Sequence, residues 1–116
     1  MNTIKFDLAE KDLHCVLLPW QTEVMRYLWN TGTPQPSRTV YEHLQKIDTK
    51  GAKSRDSVIN FMNYMVDEGF LNYKEETGKG GYHRVYSLNE RSLTEAQFRH
   101  SVAELFCEAL REFKNP

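Results

Sequence analysis

Along this chain the spacing of apolar positions changes several times, and each change marks an element. Ile4, Phe6 and Leu8 alternate with polar residues, which suits a short strand or an extended arm, so residues 1–16 read as an N-terminal extension. From Pro19, a residue suited to a first helical position, Trp20, Val24, Met25, Leu28 and Trp29 recur as one face of an amphipathic helix. Asn30, Thr31, Gly32, Thr33 and Pro34 stop it. Ser37 can cap a second short helix that buries Val40, Tyr41, Leu44 and Ile47 and ends near Asp48. Gly51 marks a turn. Ser54 can cap a third helix, spanning about residues 54–68, with Val58, Met62, Met65 and Val66 inward and Asp56, Asn60, Asn63 and Asp67 outward; Gly69 is its natural stop.

The period then drops to two. Residues 71–76 form one predicted strand and residues 82–88 another, with Tyr82, Arg84, Tyr86 and Leu88 on one face. Between them Thr77, Gly78, Lys79, Gly80 and Gly81 read as a flexible, cationic loop. Ser92 and Glu95 have the spacing of a capping box, and Phe98, Val102, Leu105, Phe106, Ala109, Leu110 and Phe113 run down the long helix that follows. The implied fold is α+β and mostly helical: three helices and a β-hairpin in residues 17–91, the order of a winged helix-turn-helix, then a C-terminal helix in residues 92–116. An apolar stripe of that length needs a partner, and a second copy of the chain is the simplest, so those seven residues are the expected dimerisation face; packing on the helix's own domain is the alternative.

Composition narrows the function classes. At 116 residues, 40% hydrophobic and 27% charged, the chain can bury one core and does not match a disordered segment. No apolar run is long enough to cross a bilayer, and Asp7, Glu10, Lys11 and Asp12 do not read as a signal peptide, so a cytoplasmic location is expected. Cys15 and Cys107 are far apart with no C-x-x-C spacing, and buried free thiols are expected of both. His14, His43, His83 and His100 are scattered with no metal-ligand spacing, and there is no nucleophile elbow or phosphate-binding loop; neither a metal, a cofactor nor an enzyme activity is expected.

A net charge of -1 exerts no overall pull toward nucleic acid, but the cations are gathered. Lys50, Lys53 and Arg55 form one group, and Lys79, His83 and Arg84 another. In a winged helix the third helix enters the major groove and the hairpin follows the backbone, so double-stranded DNA is the expected partner. Lys53, Ser54, Arg55 and Ser57 at the start of that helix are by position hydrogen-bond donors to phosphate, joined by the helix's own unpaired N–H groups. Asn60 and Asn63 carry amides able to read base edges, and Lys79 and Arg84 in the wing segment 77–84 are placed to reach phosphates. Arg38 and Thr39, opening the second helix, are secondary backbone contacts. The bland alternative for every one of these residues is a solvated surface. A winged-helix module that binds other proteins is the competing function.

Three segments resemble the penicillinase repressor family of winged-helix regulators. Glu23-Val24-Met25-Arg26-Tyr27-Leu28-Trp29 is similar to its first-helix pattern ending V-M-x-x-L-W, Arg38-Thr39-Val40-Tyr41-Glu42-His43-Leu44 to its second helix, and residues 57–71 to its recognition helix entering the wing. The resemblance implies a homodimeric repressor on a two-fold symmetric operator, with contacts from Ser57, Asn60 and their neighbours. Gln21 stands where an acidic residue is expected, and one long C-terminal helix where the family commonly has more. No cysteine-rich tail is present, and Asn60-Phe61 lies in the wrong element to serve as the pair cleaved in the antibiotic-responsive branch. No effector is readable.

Overall fold

The computed structural model describes residues 4–47 and 53–115. The expected helix end near Asp48, the turn at Gly51 and the cation Lys50 lie outside the described residues. Helix α1 (Pro19–Thr31) opens with proline at its first position, and the Gln21 amide oxygen accepts the Leu18 backbone N–H at 2.8 Å. A glutamine thus does what a carboxylate would do at the position where the family resemblance led to an acidic residue. Trp20, Val24, Met25 and Leu28 are buried, as the stripe required.

Two residues, β1 (Gln35–Pro36), then pair antiparallel with a later strand before helix α2 (Ser37–Lys46) begins. The pairing fixes Gln35 and Pro36 as extended chain, so Ser37 is already helical and gives no cap, contrary to expectation. Proline is tolerated there because β1 lies at the edge of the sheet, whose order is β1-β3-β2. Val40 and Leu44 are buried, whereas Ile47, expected inside, is 38% exposed at the helix end.

Helix α3 (Arg55–Asp67) is capped by Ser54, whose Oγ accepts the Ser57 N–H at 3.2 Å. Its inner face is Val58, Phe61, Met62 and Met65, while Val66 is only partly buried. It ends in a Schellman arrangement: Phe70 N–H reaches Met65 O at 2.9 Å and Gly69 N–H reaches Val66 O at 3.0 Å, with Gly69 at φ 82°. A Cβ on Gly69 would lie 2.7 Å from Arg91 Nη1, and that guanidinium covers the Phe70 ring at 4.6 Å. Gly69→Ala is therefore expected to cost about 1–2 kcal/mol from the left-handed backbone alone. A Tm within a degree of the parent in a circular-dichroism melt would contradict this.

Strands β2 (Leu71–Gly78) and β3 (Gly81–Leu88) form the hairpin, with Gly78 opposite Gly81. The loop read as five flexible residues is instead a two-residue turn, Lys79 and Gly80, because positive φ at Gly80 (92°) and Gly81 (110°) lets the strands pair to their ends.

Helix α4 (Glu95–Lys114) starts two residues later than the sequence pattern predicts. Its cap is Thr94, which accepts from Gln97 N–H at 3.1 Å. Ser92 is fully buried and occupied elsewhere: its hydroxyl donates to Phe70 O at 2.5 Å and accepts from Asn89 N–H at 3.3 Å, while Trp29 Nε1 donates to Ser92 O at 2.9 Å. These bonds join the hairpin exit to α1 and to the end of α3.

Phe98 is fully buried in its own protomer, against Trp29 (5.8 Å between ring centroids) and Phe70 (5.1 Å). It is a core residue and not an exposed dimerisation residue. The arm is also part of the core. Ile4, Leu13 and Leu17 are buried, a short 3-10 helix (Asp12–Cys15) turns the chain, and Phe6 stacks on Phe106 at 4.7 Å. Asp12 bonds Arg99, and the guanidinium holds its carboxyl below the usual carboxylate range. Past the arm, α4 leaves the domain with Leu110 52% and Phe113 86% exposed. The Cα radius of gyration, 15.0 Å, exceeds the roughly 13 Å of a compact chain this long because α4 and the wing project. Neither cysteine is buried as expected. Cys15 is half-buried, its thiol 3.0 Å from Glu10 O, and Cys107 is exposed on the solvent side of α4.

Candidate nucleic-acid interface

Helices α2 and α3 pack against each other, and α3 is followed directly by the hairpin. Lys53, Ser54, Arg55 and Asp56 are all exposed at the N-terminus of α3. Ser54 satisfies one of the orphan N–H groups there, and its Oγ lies 3.2 Å from Ser57 Oγ, so these hydroxyls are engaged in the cap. Among the described residues no ion pair joins Asp56 to Lys53 or Arg55, which leaves both cations unneutralised. The helix end therefore presents two free positive side chains on top of its own partial positive charge.

One turn along, Asn60 is exposed and Ser57 is half-buried. They border a shallow depression with Lys5, Gln21, Trp20 and Tyr64. The arm thus brings a cation, Lys5, to the outer face of α3. Sequence reasoning missed it because the weak periodicity of residues 1–16 carries no signal of where the arm packs.

Asn63 and Arg84 occupy different places from those the sequence pattern implied. Asn63 is half-buried, and its Oδ1 accepts from Arg84 Nη1 at 3.0 Å and from Tyr86 OH at 2.5 Å. The Arg84 guanidinium also lies 3.9 Å from the centroid of the Tyr73 ring. These two expected DNA contacts are therefore bonded to each other, and Arg84 is turned back toward α3. Burial pushes the Tyr86 phenol above its usual range, against the opposing effect of Arg84, so its hydroxyl remains a donor at neutral pH.

Lys79 keeps the expected position, at the exposed tip of the hairpin. Arg38, exposed at the start of α2, is paired with Glu42 at 3.1 Å, a surface pair of small energetic value whose carboxylate opposes the attraction of a phosphate. Thr39 beside it is half-buried. Among the described residues, Lys53, Arg55 and Lys79 are the cations of the expected face engaged by neither a carboxylate nor another side chain, whereas Arg84 is held by Asn63 and Tyr73. No group of three or more His, Cys, Asp or Glu side chains able to hold a metal is found among the described residues.

A capped, cation-tipped helix set against a second helix and followed by a glycine-tipped hairpin defines a winged-helix protein. The chain is similar in fold to a PadR-family transcriptional regulator from Eggerthella lenta DSM 2243, with a TM-score of 0.54 and 14% identity, over 81% of this chain and 82% of that one. No curated protein matches it. A family model, the penicillinase repressor, matches residues 19–113. The chain belongs to the penicillinase repressor family. It is a winged-helix transcription regulator and not an enzyme.

Proposed function

We propose that the protein is a sequence-specific repressor that binds double-stranded DNA as a homodimer, with α3 in the major groove and the wing along the backbone. The observation that carries this reading is the outer end of α3, where Lys53 and Arg55 stand free at a helix N-terminus and exposed Asn60 follows one turn along. The amide of Asn60 is the base reader, suited to the N6 and N7 edge of adenine. Ser57, Lys79 and, more weakly, Arg38 and Thr39 contact the backbone. Lys5 extends the cationic face from the arm. No helix among the described residues is long and apolar enough to cross a membrane, which fits work on DNA in the cytoplasm.

Two-fold pairing supplies the second half-site, about 34–36 Å away on the duplex. The surface for it is the outer stretch of α4, Ala109, Leu110 and Phe113, continued by the partly buried Val102, Leu105 and Phe106. Phe113→Asp is expected to shift the protein from dimer to monomer in sedimentation at micromolar concentration with its melting curve little changed. A variant that stays dimeric would move the interface elsewhere.

The reading as a whole is tested by fluorescence anisotropy, titrating the protein against duplex from upstream of its own gene and against a scrambled duplex, at two salt concentrations. Binding to the upstream fragment alone, weakening as salt rises, is the expected result. Equal or absent binding to both would return the protein to the competing class, a winged-helix module in a protein assembly.

A further inference from the structure

The bonds around Asn63 carry a consequence for how the wing works, and it rests on the DNA-binding reading above. A bidentate adenine contact needs the Asn oxygen to accept from N6 while the amide nitrogen donates to N7. The Asn63 oxygen already accepts from Arg84 Nη1 and Tyr86 OH, which uses both of its lone pairs. Its assignment as oxygen follows from chemistry, since a guanidinium only donates. Asn63 is thereby removed from base reading.

The same bonds anchor the wing. Tyr73 stands opposite Tyr86 in the hairpin and Glu75 opposite Arg84, so Tyr73, Arg84 and Tyr86 share the sheet face that meets α3. Beyond Arg84 the hairpin continues through Glu76 opposite His83, Thr77 opposite Tyr82 and Gly78 opposite Gly81. Every residue from 74 to 83 is exposed. A two-stranded ribbon without a packed face is marginal in isolation, so the direction of this free length, roughly 10 Å, is set where its base is held. That base is the Asn63 amide, together with the buried Leu71, Val85 and Tyr86.

We propose that Asn63 is a positioning residue that aims the wing: through Arg84 and Tyr86 it sets the angle between the hairpin and α3, and the phosphate contact of Lys79 depends on it. Arg84, held over Tyr73 and bonded to Asn63, belongs to the same device and does not reach the backbone. Recognition helix and wing then engage DNA as one rigid unit joined by an uncharged side chain. Removing Asn63 leaves the buried Tyr86 hydroxyl without its acceptor, and the strands shift to find one.

The test is the salt dependence of DNA affinity in the full chain, for the parent, Lys79→Ala, Asn63→Ala and the double variant, with Tyr86→Phe alongside. Lys79→Ala is expected to flatten the slope of log K against log salt by about 1 and to weaken binding roughly fivefold at 0.15 M salt. Asn63→Ala, which removes no charge, is expected to flatten it by the same amount, and the double variant no further. Tyr86→Phe should change it in the same direction and carries the test if Asn63→Ala fails to fold by circular dichroism. A full slope in Asn63→Ala with altered preference at one base pair would make it a base reader and overturn the proposal. Losses that add in the double variant, or no effect of Lys79→Ala, would also overturn it. If the parent binds no duplex in a salt-dependent way, the DNA-binding reading fails first and takes this inference with it, an outcome distinct from all the others.

Discussion

Replacing Phe98 by alanine is expected to lower stability by about 3–5 kcal/mol, the range for removing a buried aromatic side chain and leaving a cavity. The ring is fully buried between Trp29 and Phe70, and it holds the first turn of α4 to the junction between α3 and β2 and to α1. A domain of this size has roughly 5–15 kcal/mol in total, so the variant should melt on the order of 15–25 °C lower. The drop should be much the same at every protein concentration, because the contact lies within one protomer. A variant that melts with the parent yet sediments as a monomer would assign Phe98 to the dimer face instead.

The second large effect is on DNA. Lys53→Ala, Arg55→Ala and Lys79→Ala combined remove the three expected phosphate contacts that no other side chain of the protein engages. Each lost contact lowers the salt slope by about 0.9, so the triple variant should show a slope flatter by about 2.7 and bind on the order of a hundredfold more weakly at 0.15 M salt. The melting curve should hardly move, since all three side chains are exposed. Anisotropy across a salt series checks both numbers. An unaltered slope with the fold intact would mean that this face does not meet DNA.

Residues of the same type along one helix end in different surroundings. Phe98 and Phe113 belong to one stripe in the sequence, yet one is sealed in the core and the other is 86% exposed. Periodicity identifies a face of a helix but not what covers it along its length. The cover here is local: Phe6 and Leu13 of the arm, with Trp29 and Phe70, close over the first turns of α4 and stop before Leu110. Similarly Asn60 and Asn63 are three residues apart on one helix, and only the position of β3 makes one exposed and the other an acceptor for Arg84 and Tyr86.

Capping shows the same division. Ser54, at the start of α3, caps as its position required, because nothing else competes for its hydroxyl beyond its neighbour Ser57. Ser92 has equally good spacing, but it lies where three elements converge, and its hydroxyl donates instead to the carbonyl of Phe70. The cap passes to Thr94. Local rules hold where the surroundings are water and yield where a buried carbonyl must be satisfied.

The sequence by itself determined the order of the helices and the hairpin, the centre of the inner face of α1, α2 and α3, and the Gly69 stop, while it missed β1, buried Phe61 and the exposure of Ile47. These follow from spacing, proline and glycine geometry and burial, which act over a few residues. Tertiary structure decided which polar residues remain free to act. Hydrogen bonds and ion pairs between residues distant in the chain, such as Arg84 with Asn63 and Asp12 with Arg99, form only once the elements are docked, and each removes groups from the surface that the sequence alone shows as available.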